Sequence, residues 1–184
     1  MPRFLSCFGD PSDERKAEPL LSTSASASAS ISTSTKKGCI FCNVSVEKGF
    51  NIAYEDDQLI AFHDRTPRAK THLLVIPRYH AVDSVRGLTS DHLPLLRAMI
   101  LLAHRLVPPD PPPKMGFHIP PFSSVPHLHL HVFSGPHTFV GGLKYPISSH
   151  GKGKDKKKGL GWFVTAEQVE ETLGRGGRVR LGRS

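Results

Sequence analysis

The chain has 184 residues, enough for one domain with a buried core plus tails and too few for two large domains. Hydrophobic residues make up 38%, a low share for a compact domain, so part of the chain is expected to stay outside the core. The formal charge is +8, and no apolar run reaches the ~18 residues that cross a bilayer, so no membrane span is predicted.

Residues 1–37 are predicted to be a disordered tail. Ser22 to Thr35 is almost entirely Ser, Ala and Thr and has nothing to bury. Asp10, Asp13 and Glu14 fall where the apolar core of a secretory signal would continue, and Pro2 leaves no site for N-myristoylation. The expected compartment is therefore cytoplasmic or nuclear. Cys7 falls in the tail, whereas Cys39 and Cys42 form a C-x-x-C pair. In a reducing compartment that pair reads as metal or redox chemistry rather than a structural disulfide.

Order is expected from Gly38, with a short helix over Cys39 to Val46. Ile52–Tyr54 and Leu59–Phe62 flank the polar turn Glu55-Asp56-Asp57 and predict a hairpin. His72 to Ile76 predicts a short strand stopped by Pro77. Leu93, Leu96, Ile100, Ala103 and Val107 recur at helical spacing, with Thr89 or Ser90 as the cap and Pro108 and Pro109 as the stop. Lys114–Ile119 and His127–Phe133 predict two further strands. Phe139 to Gly161 reads as a long Gly/Lys-rich loop whose Lys154–Lys158 run is solvated. Trp162–Val164 predicts a last strand, and Thr165 caps a helix through Leu173 that Gly174 closes. Residues 38–174 thus form an α+β domain: a mostly antiparallel sheet, one long helix and short flanking helices. Residues 175–184 form a basic tail. Five of the eight net positive charges fall after residue 149. A solvated tail and a contact with nucleic acid are the two readings of that bias.

The sharpest feature is Pro126-His127-Leu128-His129-Leu130-His131-Val132-Phe133. Side chains alternate across a strand, so the three imidazoles share one face and the aliphatic residues share the other. A lone histidine is usually structural, but packing alone does not explain three at strict period two. Two chemistries remain. Imidazoles suit a metal site, although alternate strand positions lie about 7 Å apart, too far for all three to reach one ion easily. Otherwise a neutral imidazole is a competent nucleophile near pH 7, and a flanking histidine can donate to a phosphate oxygen.

His127 to Phe133 matches in full the His-φ-His-φ-His-φ-φ signature of the histidine-triad (HIT) family, with φ apolar. Cys39-Ile40-Phe41-Cys42, Ala61-Phe62-His63-Asp64 and Thr71 to His80 also resemble that family's opening blocks, in the same order. Met115 to Ser124 and Trp162 to Ala166 most resemble its third nucleotide-binding branch, the adenosine 5′-monophosphoramidases.

The resemblance implies a HIT fold and a purine nucleotide substrate of the AMP type, an adenosine 5′-phosphoramidate or a lysyl- or other aminoacyl-adenylate. It implies that His129 attacks the α-phosphorus to form a nucleotidyl-histidine, which water then cleaves. His131 would bind the phosphate oxygens, and His127 and His72 would orient the row. Asp64 would accept from the ribose hydroxyls, Phe41 and Phe62 would enclose the base, and Arg65, His118 and Ser124 would complete the nucleotide contacts. His131 stands where the nucleotidylyltransferase branch has Gln, which implies hydrolysis rather than transfer. In some family members a C-x-x-C pair joins two histidines around structural zinc; here these are Cys39, Cys42, His80 and His127, while catalysis itself needs no cofactor. The alternative is that both cysteines simply pack the first helix. Relatives pair through the long helix and the sheet edge, which implies a homodimer. Two competing functions stay open: aprataxin-like removal of AMP from adenylated DNA ends, for which no second Cys/His set follows Phe133, and a nucleotide-binding regulatory scaffold.

Overall fold

Six strands form one sheet in the order β1-β2-β3-β5-β4-β6, and every neighbouring pair is antiparallel. The computed structural model describes residues 34–146 and 161–181. The tail expected over residues 1–37 and the Lys154–Lys158 run lie almost wholly outside them. The described residues belong to one compact unit.

The strands are β1 (Ile52–Glu55), β2 (Leu59–His63), β3 (Ala69–Pro77), β4 (Lys114–His118), β5 (Leu130–His137) and β6 (Phe163–Thr165). The helices are α1 (Leu93–Leu106), α2 (Phe139–Lys144) and α3 (Ala166–Gly174). The sheet has two different faces because each strand alternates. Leu73, Val75, Met115, Phe117, Leu130 and Val132 point to one side and pack with Leu96, Met99, Leu102 and Ala103 of α1. Burying such side chains stabilises by roughly 1.5–3 kcal/mol each, which pins the strands. The opposite positions are His72 and Leu74 on β3, Gly116 and His118 on β4, His131 and Phe133 on β5, and Phe163 on β6. That second face carries the histidines.

Several local expectations change. Cys39 to Val46 is not one helix but two 3-10 turns, Ile40–Asn43 and Val46–Lys48, with extended Val44 after the first. Gly49, at φ +80°, closes the second, a conformation that favours glycine. The ladder of the histidine strand starts at Leu130, so His127, Leu128 and His129 lead into β5 rather than belong to it. Leu128 N donates to Val82 O at 3.0 Å, and the in-out alternation persists without strand pairing. The expected loop after Phe139 opens with α2, capped by Thr138, whose hydroxyl accepts from Gly141 N at 3.0 Å. The C-terminal elements follow expectation: Thr165 and Gln168 form a reciprocal capping box on α3. Val179, beyond α3, is buried in the main core, so the basic segment is anchored at that point. No helix among the described residues is long and apolar enough to cross a membrane.

Candidate active site

The histidine face opens into a cavity of about 540 Å³, a size that suits a nucleotide. One end is apolar: Ile40, Phe41, Phe50, Phe62 and Leu74 line it. Phe62 meets Phe41 and Phe50 edge-on at centroid distances of 5.3 and 5.0 Å, so the three rings form an aromatic wall against which a planar group can pack. The other end is polar, lined by Asp64, His118, Ser124, His129, His131, Lys144 and Tyr145.

His129 Nδ1 lies 2.7 Å from the carbonyl oxygen of His127. A carbonyl only accepts, so the Nδ1 proton is donated to it and the Nε2 lone pair is left facing the cavity. Burial holds His129 below the ordinary imidazole range, so the ring is neutral at pH 7. A buried, neutral imidazole with an oriented lone pair is what nucleophilic attack requires.

His131 is oriented differently. Its Nδ1 lies 3.0 Å from His72 Nε2. Asp64 Oδ2, 3.6 Å from the same His72 nitrogen, favours a proton there. His72 then donates to His131 Nδ1, and His131 presents Nε2–H. That nitrogen is buried without a hydrogen-bond partner, at a ring that lines the cavity. An orphaned donor in such a place suits an anionic oxygen. Burial depresses His131 well below 6.5 and His72 to about 4, so both are neutral donors rather than cations.

His118 is buried beside His131 at 4.9 Å between ring centroids and is likewise pushed down to about 4 by burial. Gly116 makes this geometry possible. A Cβ there would come within 2.4 Å of Val164 O and 2.5 Å of the Phe163 ring, so only glycine lets β6 approach β4.

His127 does not reach the cavity. Its Nδ1 lies 3.5 Å from both Cys39 Sγ and Cys42 Sγ, and His80 Nδ1 lies 3.3 Å from Cys42 Sγ. The ligand atoms of Cys39, Cys42, His80 and His127 all fall within 4.8 Å of one another and can hold a metal ion. These separations match the edges of a small S2N2 tetrahedron. The outer nitrogens are occupied as metal-bound imidazoles require: His127 Nε2 donates to Pro77 O at 2.9 Å, and His80 Nε2 donates to Asp83 Oδ1 at 2.7 Å. Lys36 in turn pairs with Asp83 at 2.6 Å. The residues therefore fit a tetrahedral metal.

Of the residues expected to contact a nucleotide, Phe41, Phe62, Asp64, Arg65, His118, Ser124, His129 and His131 all line this one cavity. His72 sits behind His131, and His127 and His80 belong to the cysteine cluster. Sequence reasoning missed Phe50, Asn51, Arg68, Phe122, Lys144 and Tyr145, which also line it. Lys144 and Tyr145 carried no readable signal, since they follow Gly141-Gly142 in a stretch that reads as a loop.

Comparisons with known proteins agree with this geometry. Residues 38–144 match the family model described as scavenger mRNA decapping enzyme C-term binding. The chain is 32% identical over 162 residues to the adenosine 5′-monophosphoramidase HINT3 of Xenopus tropicalis, covering 83% of this chain and 98% of that one. It is 38% identical over 145 residues to the bifunctional adenosine 5′-phosphosulfate phosphorylase/adenylylsulfatase HINT4 of Arabidopsis thaliana, covering 74% and 92%. Among solved structures, a HIT family hydrolase from Clostridium thermocellum shares the fold at a TM-score of 0.50 and 24% identity, covering 55% of this chain and 94% of that one. A sheet that aligns its histidines on one cavity, the family-model match and full-length relatives converge: the chain belongs to the histidine-triad family and is a hydrolase of that family.

Proposed function

We propose that the protein hydrolyses adenosine 5′-phosphoramidates at the α-phosphorus through a covalent nucleotidyl-histidine on His129. The observation that carries this reading is the 2.7 Å hydrogen bond from His129 Nδ1 to the His127 carbonyl, which leaves Nε2 free toward the cavity. The base packs against the wall of Phe41, Phe50 and Phe62, and the ribose hydroxyls donate to Asp64. Arg65 and Ser124 complete the contacts at the cavity mouth.

In the first step the His129 Nε2–P bond forms and the P–N bond breaks. The amine departs with the electron pair and takes up a proton at the open mouth of the cavity, beside the Ser124 hydroxyl. His131 Nε2–H and the imidazole of His118 stabilise the phosphoryl oxygens as charge grows on them. In the second step water attacks phosphorus and releases a proton to solvent, the Nε2–P bond breaks with its electron pair returning to Nε2, and AMP leaves. The AMP half is common to the substrates that the two relatives' names give, a phosphoramidate and a phosphosulfate, which differ in the leaving group.

Zinc is the metal we assign to Cys39, Cys42, His80 and His127, from the mixed thiolate and imidazole donor set. Its role there is structural: when bound it clips the N-terminal turn to the segment that precedes β5.

The reading is tested by following AMP release from adenosine 5′-phosphoramidate. His129→Ala should lose activity by about 10³-fold or more, and quenched wild type should carry a protein adduct one AMP heavier. Lys156→Ala should match wild type. Equal losses in both variants, or turnover in His129→Ala, would defeat it.

A further inference from the structure

Three cations, Arg65, Arg68 and Lys144, line the cavity, and α2 supplies one of them. Thr138 N donates to Arg68 O at 2.9 Å, and its hydroxyl donates to the same oxygen at 3.3 Å. Gly141 lies so close to Arg68 that a Cβ would meet its carbonyl oxygen at 2.2 Å. The α2 turn is thereby seated on the β2–β3 connection. At its end, Tyr145 packs on both His118 and His131, with centroids at 4.8 and 5.0 Å. Trp162 Nε1 donates to Lys144 O at 3.2 Å and ties the segment down. This seating brings Lys144 and Arg68 to the same wall, although they are far apart in sequence.

Charge at this wall is unbalanced. Arg65, Arg68 and Lys144 line the cavity, and Asp64 is the one carboxylate among its described lining residues. Asp64 is already engaged: Oδ1 accepts from Thr66 N at 2.7 Å, and Oδ2 faces His72. Burial is the main reason that His72, His118 and His131 are held neutral, and Lys144 lies near enough to add to it. Three cations and one carboxylate sum to +2, and a monoanionic α-phosphate ester leaves one positive charge over. His131 Nε2, buried and unpartnered, marks where the phosphoryl oxygens go. The remaining positive charge therefore faces the group attached to phosphorus.

We infer that Lys144 and Arg68 form an oxyanion subsite that selects substrates whose leaving group carries its own negative charge, such as a carboxylate, phosphate or sulfate. This rests on the proposed attack at the α-phosphorus and adds the class of leaving group. An acidic amine would depart as described above, with its carboxylate held by Lys144 and Arg68. An oxyanion attached through oxygen would leave with the P–O electron pair and need no proton. A cationic leaving group such as lysine would be repelled.

The test compares two AMP conjugates joined through nitrogen at phosphorus, one to β-alanine and one to β-alanine amide. They differ by a single charge. Wild type should favour the acid by about tenfold in kcat/KM. Lys144→Ala and Arg68→Ala should each bring that ratio close to one, Lys144→Arg should restore it, and Lys144→Glu should invert it. The Kd ratio of the two conjugates on His129→Ala gives the same readout without turnover. A wild-type ratio near one, or an equal loss on both conjugates in Lys144→Ala, overturns the inference and assigns these cations to the α-phosphate. Failure to cleave unsubstituted phosphoramidate would instead count against the His129 reading.

Discussion

His129 and His131 stand two residues apart, yet different partners fix their protons. A backbone carbonyl holds His129 Nδ1–H, whereas His72 and Asp64 hold His131 in the opposite tautomer. His131 therefore donates where His129 attacks. Replacing His72 with Ala should leave His131 Nδ1 without its donor, lowering kcat by about 10-fold to 100-fold with a smaller change in KM. Burial also makes these rings a pH liability. The folded pKa values of His72 and His118 are about 4, against 6.5 for the free side chain. Between those values the unfolded chain binds protons that the folded chain does not. Stability should be flat above pH 7 and fall as pH drops from 6.5 to 4, by at most roughly 3 kcal/mol per imidazole. Denaturation midpoints measured across that range would show it, and a midpoint that rises on acidification would contradict it. The histidine row was legible in the sequence because its period is two and its partners are aliphatic. The tautomers were not legible, since they depend on a carbonyl and on a histidine contributed by another strand.

The segment that carries the nucleophile is not held by a full ladder, because β5 pairs only from Leu130 onward. The cysteine cluster fastens its upstream end instead, through His127. Purified protein should therefore contain one zinc per chain by elemental analysis. Cys42→Ser should lose the metal, lower Tm by several degrees and reduce kcat, because Phe41 and His129 both flank the cluster. Full metal content in that variant would count against the site. At β4 the constraint is steric. Gly116→Ala must push β6 away, and should cost about 2 kcal/mol or more in denaturant melts. Strands and the long helix were readable from periodicity and their proline and glycine stops. The α2 turn was not, since Gly141-Gly142 breaks its short pattern and its seating on Arg68 is a tertiary effect. The first helix was misread for a related reason. Its phenylalanine faces a pocket and its cysteines face His80 and His127, so their spacing serves two sites rather than one helical stripe.

At the scale of the molecule, β6 and α3 decide which surfaces remain open. β6 pairs with β4, leaving β1 and the three-residue β6 as the sheet edges among the described residues. Val169 and Leu173 of α3 are buried in the core that also contains Leu96 and Met99 of α1, and Arg97 pairs with Glu170 at 2.7 Å. α3 thus covers one side of the long helix and β6 extends the sheet beyond β4, the elements through which relatives were expected to pair, while Leu101 of α1 stays exposed. Both elements were legible as a strand and a capped helix. Their placement was not, because nothing in Trp162 to Leu173 says which edge they close. Covering an edge strand in this way removes a template for self-association. The full chain should therefore run as a monomer in light scattering at micromolar concentration. Leu173→Asp places an unpaired charge in the core under α3 and should detach that helix. The variant should lose several kcal/mol of stability and begin to associate through the uncovered α1 and β4. A wild-type dimer with β6 and α3 in place would mean that pairing uses another surface, and the Leu173→Asp variant would then leave the dimer intact.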